Sequence, residues 1–291
     1  MLPLSLRLFQ TSPFLSEFLF AAHLAAFGGL MSGRGNRIDK GHSALILKAI
    51  AKGGLSFVVQ PIHDAQDIEA ILYAECLARV TDAEGVVHTA GAFVPQLERL
   101  EGRFDLDLRM LELVLSALTA DAALTLGCNL SAATLSAPDR FADIFNRISR
   151  QPELTSRLVV EVTETYPLVG APVERLKMIR ALGCRIAIDD FGTGYATPSH
   201  LLQVTADIVK IDASFIRDIR PGRDGHDSLY HLVGFASCLA PLVVVEGIET
   251  EAQLEAARST GGTHAQGFLL SRPMALQQLP QMRKFGLREV G

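Results

Sequence analysis

The chain has 291 residues, 48% of them hydrophobic, with a formal net charge of −5. That is enough apolar material for a sizeable core, in one large domain or two small ones. The lack of a basic block argues against binding a nucleic-acid polymer by charge. Four cysteines, Cys76, Cys128, Cys184 and Cys238, are far apart and form no CxxC pair or zinc spacing. They are expected as reduced core residues of a cytoplasmic protein.

Residues 1–42 read as an apolar segment followed by a linker. The run from Phe14 to Met31 is broken by Glu17 and His23, and Ser32 to Gly41 is polar and Gly-rich. A spanning helix needs about 20 nearly uncharged residues, so a helix docked on the domain or on a protein partner is expected. A membrane or signal segment and a true start at Met31 are the alternatives. From residue 43 to 291 the pattern is regular. A helix is expected over 44–52, stopped by Gly53-Gly54. Strands are expected over 55–60 and 70–79, then helices over 91–100 and 106–120. A strand over 123–130 leads to a helix near 139–149. The strand 157–163 is followed by a helix over 172–182, and the strand 185–189 by a short helix near 198–203. The strand 207–211 precedes helices within 213–239. Last come the strands 242–246 and 265–269, with helices over 249–259 and 273–284.

Eight strands alternating with helices indicate an α/β fold of the (β/α)8 TIM-barrel type. An open doubly wound sheet is the alternative, but no GxGxxG or P-loop follows the first strand. Nearly every strand carries a polar residue at or near its C-terminal end. They are Gln60, Glu75 with Arg79, Asn129, Glu161 with Glu164, Asp189 with Asp190, Lys210 with Asp212, Glu246, and Gln266. In a barrel such ends meet at one mouth, where catalysis takes place. One aspartate of the Asp189-Asp190 pair is otherwise explained as a helix cap or Asx-turn. Two neighbouring carboxylates at a strand end repel each other unless a cation lies between them.

Glu75, Asn129, Glu161, Asp189, Asp190 and Glu246 offer oxygen ligands, without a His or Cys cluster beside them. Such a set suits Mg²⁺ or Mn²⁺, and five carboxylates exceed the need of one ion, so two ions are expected. Lys210 could orient an attacking water, or simply pair within the carboxylates. Arg79 could take a phosphate oxygen, or pair with Glu75 on the same strand face.

In combination and order, several motifs resemble the EAL-domain family of cyclic di-GMP phosphodiesterases. They are Gln60-Pro61-Ile62, Glu75-Cys76-Leu77-Ala78-Arg79, Asn129-Leu130-Ser131, Glu161-Val162-Thr163-Glu164, Asp189-Asp190-Phe191-Gly192-Thr193-Gly194, Lys210-Ile211-Asp212, Glu246-Gly247-Ile248-Glu249 and Gln266-Gly267-Phe268. The resemblance covers about residues 43–285. It implies a modified barrel with its first strand antiparallel, and hydrolysis of cyclic di-GMP to linear pGpG. Glu75, Asn129, Glu161 and Asp189 would hold one metal; Asp189 and Asp190 would hold the second. Glu246 would be a further ligand or a general base, and Lys210 would position the water. Gln60, Arg79, Asp212 and Gln266 would contact the dinucleotide, with Glu164 and Glu249 as loop anchors. A homodimer is expected, and inhibition by Ca²⁺, whose looser shell misplaces the water. Departures from the family pattern are Cys76, Val80, Val245 and the stiffer loop 194–200 with Pro198. A receptor that binds cyclic di-GMP without turnover is the alternative from another class. Another metal-dependent barrel hydrolase is a third.

Overall fold

The computed structural model describes residues 40–97, 103–163, 169–193 and 198–279. The expectations for residues 1–39, including the docked helix, therefore lie outside the described residues. Among the described residues no helix is long and apolar enough to cross a membrane.

A helix α1 (Lys40–Ala51) precedes β1 (Leu55–Asp64), β2 (Ile71–Thr81) and β3 (Val87–Thr89). Helices α2 (Ala90–Leu97) and α3 (Arg103–Ala120) lead to β4 (Leu126–Leu130), α4 (Ala132–Ser136) and α5 (Pro138–Ser149). Then come β5 (Leu158–Thr163), α6 (Ala171–Ala181), β6 (Arg185–Phe191), α7 (Pro198–Leu201), β7 (Ile208–Ile211), α8 (Ala213–Arg217) and α9 (Ser228–Ser237). The series ends with β8 (Leu242–Val245), α10 (Glu251–Ser259) and β9 (His264–Ala265).

The sheet order is β1-β9-β8-β7-β6-β5-β4-β2-β3, and a further β1–β2 pairing closes the barrel. β1 runs antiparallel to both β2 and β9, while β2 and β4 to β9 are parallel. The eight barrel strands are thus those expected, with the first reversed. β3 is an addition: it pairs only with β2, antiparallel, as a ribbon on the rim.

Strand alternation divides the apolar residues into two layers. Ile62, Tyr73, Val159, Ala187, Ile208 and Val244 pack together inside the barrel. Val160, Ile186, Ile188, Val209, Ile211, Val243 and Val245 point outward into the larger core beneath the helices. The helices are amphipathic for that role. In α5, Phe141, Ile144 and Ile148 are buried, Pro138 opens the first turn, and Asp139 and Arg147 oppose the helix dipole at either end. Thr250 and Gln253 form a capping box that starts α10.

Three expectations need correction. The strand expected over 265–269 is only His264–Ala265, because the chain turns at Gly267, whose Cβ would sit 2.1 Å from the Ile248 carbonyl oxygen. The helix expected over 273–284 is not formed where the chain is described. Met274 makes an antiparallel bridge with Val59, and a single 3₁₀ turn spans Leu276–Gln278. Along β1, short β9 reaches only His63 and Asp64, so Val59 exchanges backbone hydrogen bonds in both directions with Met274 instead. Cys238 is exposed, unlike the other three cysteines, because it caps α9 beyond the buried face of Leu229, Val233 and Ala236.

Candidate active site and metal centre

On successive strands the inward residue two places beyond the apolar layer is polar. Val159 is followed by Glu161, Ala187 by Asp189, Ile208 by Lys210, Val244 by Glu246, and Tyr73 by Glu75. Alternation therefore builds a polar layer directly above an apolar one. Gln60 joins it from reversed β1, where it pairs in register with Glu75.

Lys210 is the hub. Its side chain is fully buried, and Nζ lies 3.1 Å from Glu75, 2.8 Å from Glu161, 3.0 Å from Asp189 and 2.9 Å from Glu246. Burial alone would depress the lysine, but the surrounding carboxylates win and raise its pKa well above the ordinary value. Around it, Asn129 donates from Nδ2 to Glu75 at 3.1 Å, and Gln266 donates from Nε2 to Glu75 at 2.9 Å. Burial opposes ionisation of Glu75, yet Lys210 and these donations together hold its carboxyl below the usual range. Glu161 goes the other way. Burial, reinforced by the charges of Glu75 and Asp189, raises it to about 8 despite Lys210. Burial also raises Asp189 and, strongly, Glu246. Asp190 is raised to about 6 by burial and then by its neighbour Asp189.

One ammonium cannot neutralise five carboxylates packed this closely, and that excess of negative charge adds to burial in raising four of them. Two groups of oxygens are gathered tightly enough for a cation. Ligand atoms of Glu75, Glu161 and Asp189 lie within 4.8 Å of one another, as do those of Asp189, Asp190 and Glu246. Glu161 Oε1 is buried and accepts no hydrogen bond, and an all-oxygen donor set suits a hard divalent ion. The residues fit such a cofactor, and Asp189 is common to both groups.

The backbone explains how adjacent aspartates reach one site. Alternation would send Asp190 to the opposite face, but it adopts φ +54, and the β6–β7 register shifts between Ile188 and Phe191. The left-handed residue and the bulge return its carboxylate to the mouth.

A cleft of about 270 Å³ lies over this centre. Its lining includes Gln60, Glu75, Asp189, Asp190, Glu246 and Gln266, with Glu249 and Phe268 at the rim. Gln60 is tied by its amide to the Ser271 carbonyl at 3.0 Å. Arg79 is not drawn in. Its guanidinium donates to its own strand at Ala78 O, 2.9 Å, and the carboxylate Glu75 pairs with Lys210 instead. Asp212 caps α8 by accepting from Ser214 N at 2.9 Å, although its charge still reaches Asp190. Glu164 lies outside the described residues.

Gly127 and Tyr73 are not apparent as site residues from the sequence. A Cβ on Gly127 would fall 2.0 Å from Glu161 Oε1 and 2.6 Å from the Tyr73 ring. The readable signal was a glycine inside a strand, which marks close approach of another group.

Comparison with known proteins gives a consistent picture. The family profile described as EAL domain matches residues 44–273. The bifunctional diguanylate cyclase/cyclic di-GMP phosphodiesterase MucR of Pseudomonas aeruginosa is 33% identical over 214 residues, 70% of this chain and 31% of the relative. The probable cyclic di-GMP phosphodiesterase PdeA of Escherichia coli is 30% identical over 240 residues, 79% of this chain and 32% of the relative. The chain thus spans about a third of the length of these curated relatives. Among solved structures, the PaMucR phosphodiesterase in complex with c-di-GMP superposes with a TM-score of 0.67 at 30% identity, covering 78% of this chain and 100% of that one. An EAL domain protein from Listeria monocytogenes, 24% identical with a TM-score of 0.69 and covering 81% of this chain and 94% of that one, shares the fold.

Proposed function

Because the chain belongs to the EAL domain family, we propose that it hydrolyses cyclic di-GMP to linear pGpG in the cleft above Lys210. The observation that carries this reading is the pair of carboxylate groups sharing Asp189 around one buried ammonium. A pair of divalent ions, Mg²⁺ or Mn²⁺, held by Glu75, Asn129, Glu161 and Asp189 and by Asp189, Asp190 and Glu246, would polarise the phosphoryl oxygens and acidify water.

The chain's own residues do the rest. Lys210 holds four carboxylates in place and damps the charge that develops at phosphorus. Glu246 is the least enclosed of its four partners, with 17% of its side chain exposed, and it lines the cleft. It therefore takes the proton of the attacking water. One P–O bond of the cyclic ring breaks as the new one forms, and the leaving ribose oxygen acquires a proton from solvent. Gln60 and Gln266 bear on the dinucleotide from the cleft wall. Arg79 and Asp212 do so after leaving the local backbone partners they hold here. Glu164 and Glu249 anchor the flanking loops, and the working form is a homodimer.

The test is incubation with cyclic di-GMP and Mg²⁺ or Mn²⁺, followed by chromatography for pGpG. Turnover is expected with either ion and not with Ca²⁺. Full turnover in the presence of chelator removes the metal assignment, and binding without turnover selects the receptor reading.

A further inference from the structure

Below the carboxylates, Tyr73 places a phenol inside the barrel. It is fully buried, and its hydroxyl makes no hydrogen bond. Glu161 is equally buried, and its Oε1 accepts none, although the carboxylate pairs with Lys210 through Oε2. The two groups meet beside Gly127. A Cβ on Gly127 would fall 2.0 Å from Glu161 Oε1 and 2.6 Å from the Tyr73 ring, so the oxygen and the ring are close neighbours. A ring whose O–H lacks an acceptor and a carboxylate oxygen that lacks a donor therefore lie side by side.

Leaving both unpaired is costly, and a short movement of either removes that cost. A phenol O–H can donate, and a carboxylate oxygen accepts.

We propose that Tyr73 is a positioning residue for Glu161, its hydroxyl donating to Oε1 directly or through one water. That contact fixes the rotation of the carboxylate and so the lone pairs it presents to a cation. The inference rests on the metal reading of the centre above and adds a residue beneath it. Orienting partners behind metal ligands typically change metal affinity or activity 10–100-fold when removed.

Tyr73→Phe is the test, because it keeps the ring against Gly127 and deletes only the hydroxyl. Mn²⁺ binding is followed by electron paramagnetic resonance of the free ion, alongside kcat and KM for cyclic di-GMP and thermal unfolding in chelator. The expected result is Mn²⁺ affinity and kcat both reduced roughly 10–100-fold, with KM unchanged. A hydroxyl that is only an unsatisfied passenger predicts the reverse pattern: a Tyr73→Phe variant equally or more stable, with Mn²⁺ affinity and kcat as in wild type. That result overturns the inference and leaves the proposed function standing. Failure of the wild-type protein to bind Mn²⁺ overturns both.

Discussion

Lys210→Met removes the ammonium that faces Glu75, Glu161, Asp189 and Glu246 while preserving nearly the same volume. Its side chain has no exposed surface, and Glu161 has none either. Deleting one partner of a buried ion pair strands the others, at a cost of about 3–5 kcal/mol. A chain of this size loses roughly 2–4 °C of midpoint per kcal/mol, which gives a fall of roughly 6–20 °C. The assay is thermal unfolding in chelator at pH 7, repeated with Mn²⁺. The ion should restore part of the loss, since it binds the folded cluster and supplies the missing positive charge. Turnover should stay low even so, because the ion does not restore the role proposed for Lys210 towards the phosphoryl group. A midpoint within about 2 °C of wild type in chelator would refute the reasoning, for it would mean that the carboxylates never depended on the lysine.

Glu246→Gln should stay folded and lose at least roughly a hundredfold in turnover, read by pGpG formation; an unchanged rate excludes it as proton acceptor. Gly127→Ala forces a methyl to within 2.0 Å of Glu161 Oε1, so about 1–3 kcal/mol of stability should go together with Mn²⁺ affinity. Wild-type values by urea titration and metal binding would mean that Glu161 does not approach Gly127 as described. His264 is held neutral by burial, its pKa lowered to about 4 despite the attraction of Asp64. A folded pKa below the unfolded 6.5 means that the unfolded chain binds more protons in between. Stability is therefore lost as pH falls from 6.5 towards 4, by at most about 3 kcal/mol. His264→Gln should lack this loss, seen as a shallower difference between urea curves at pH 7 and 5, and parallel curves would count against it.

Much of the barrel was legible because its strands are short β-branched runs separated by amphipathic helices. A polar residue two places beyond an inward apolar one lands in the mouth by geometry alone, so Glu161, Asp189, Lys210 and Glu246 could be read directly. Arg79 shows the limit of that reading. It shares a face with Glu75, but four residues along a strand is about 13 Å, which carries its backbone past the carboxylate layer to the rim. The reversed direction of β1 came only from family resemblance, since antiparallel and parallel strands of this composition look alike. The ribbon β3 was missed because three exposed or half-exposed residues carry no alternation to read. That residues 273–279 form no helix depended on a long-range need, the open ladder position at Val59, which no local pattern reveals.

Asp190 is where local preference and site chemistry oppose each other most plainly. Among described residues it is the only non-glycine with positive φ, a conformation that costs an ordinary L-residue about 1–2 kcal/mol and Asn or Asp less. It also sets a second carboxylate beside Asp189, and the pKa of Asp190 is raised by burial first and by that repulsion next. Both penalties fall on the protein without cation and are offset once a cation lies between the two. Asp190→Asn keeps the tolerated backbone and removes the charge, so in chelator it should be as stable as wild type or more so. Asp190→Gly should match it, while Asp190→Ala should fall below both by about 1 kcal/mol for want of a side chain suited to that φ. All three should lose most of the stabilisation that Mn²⁺ gives the wild type. Thermal midpoints with and without Mn²⁺ separate the two effects. If Asp190→Asn were less stable than wild type in chelator yet gained as much from Mn²⁺, the residue would serve the fold and not the cation, and the second metal group would have to be built without it.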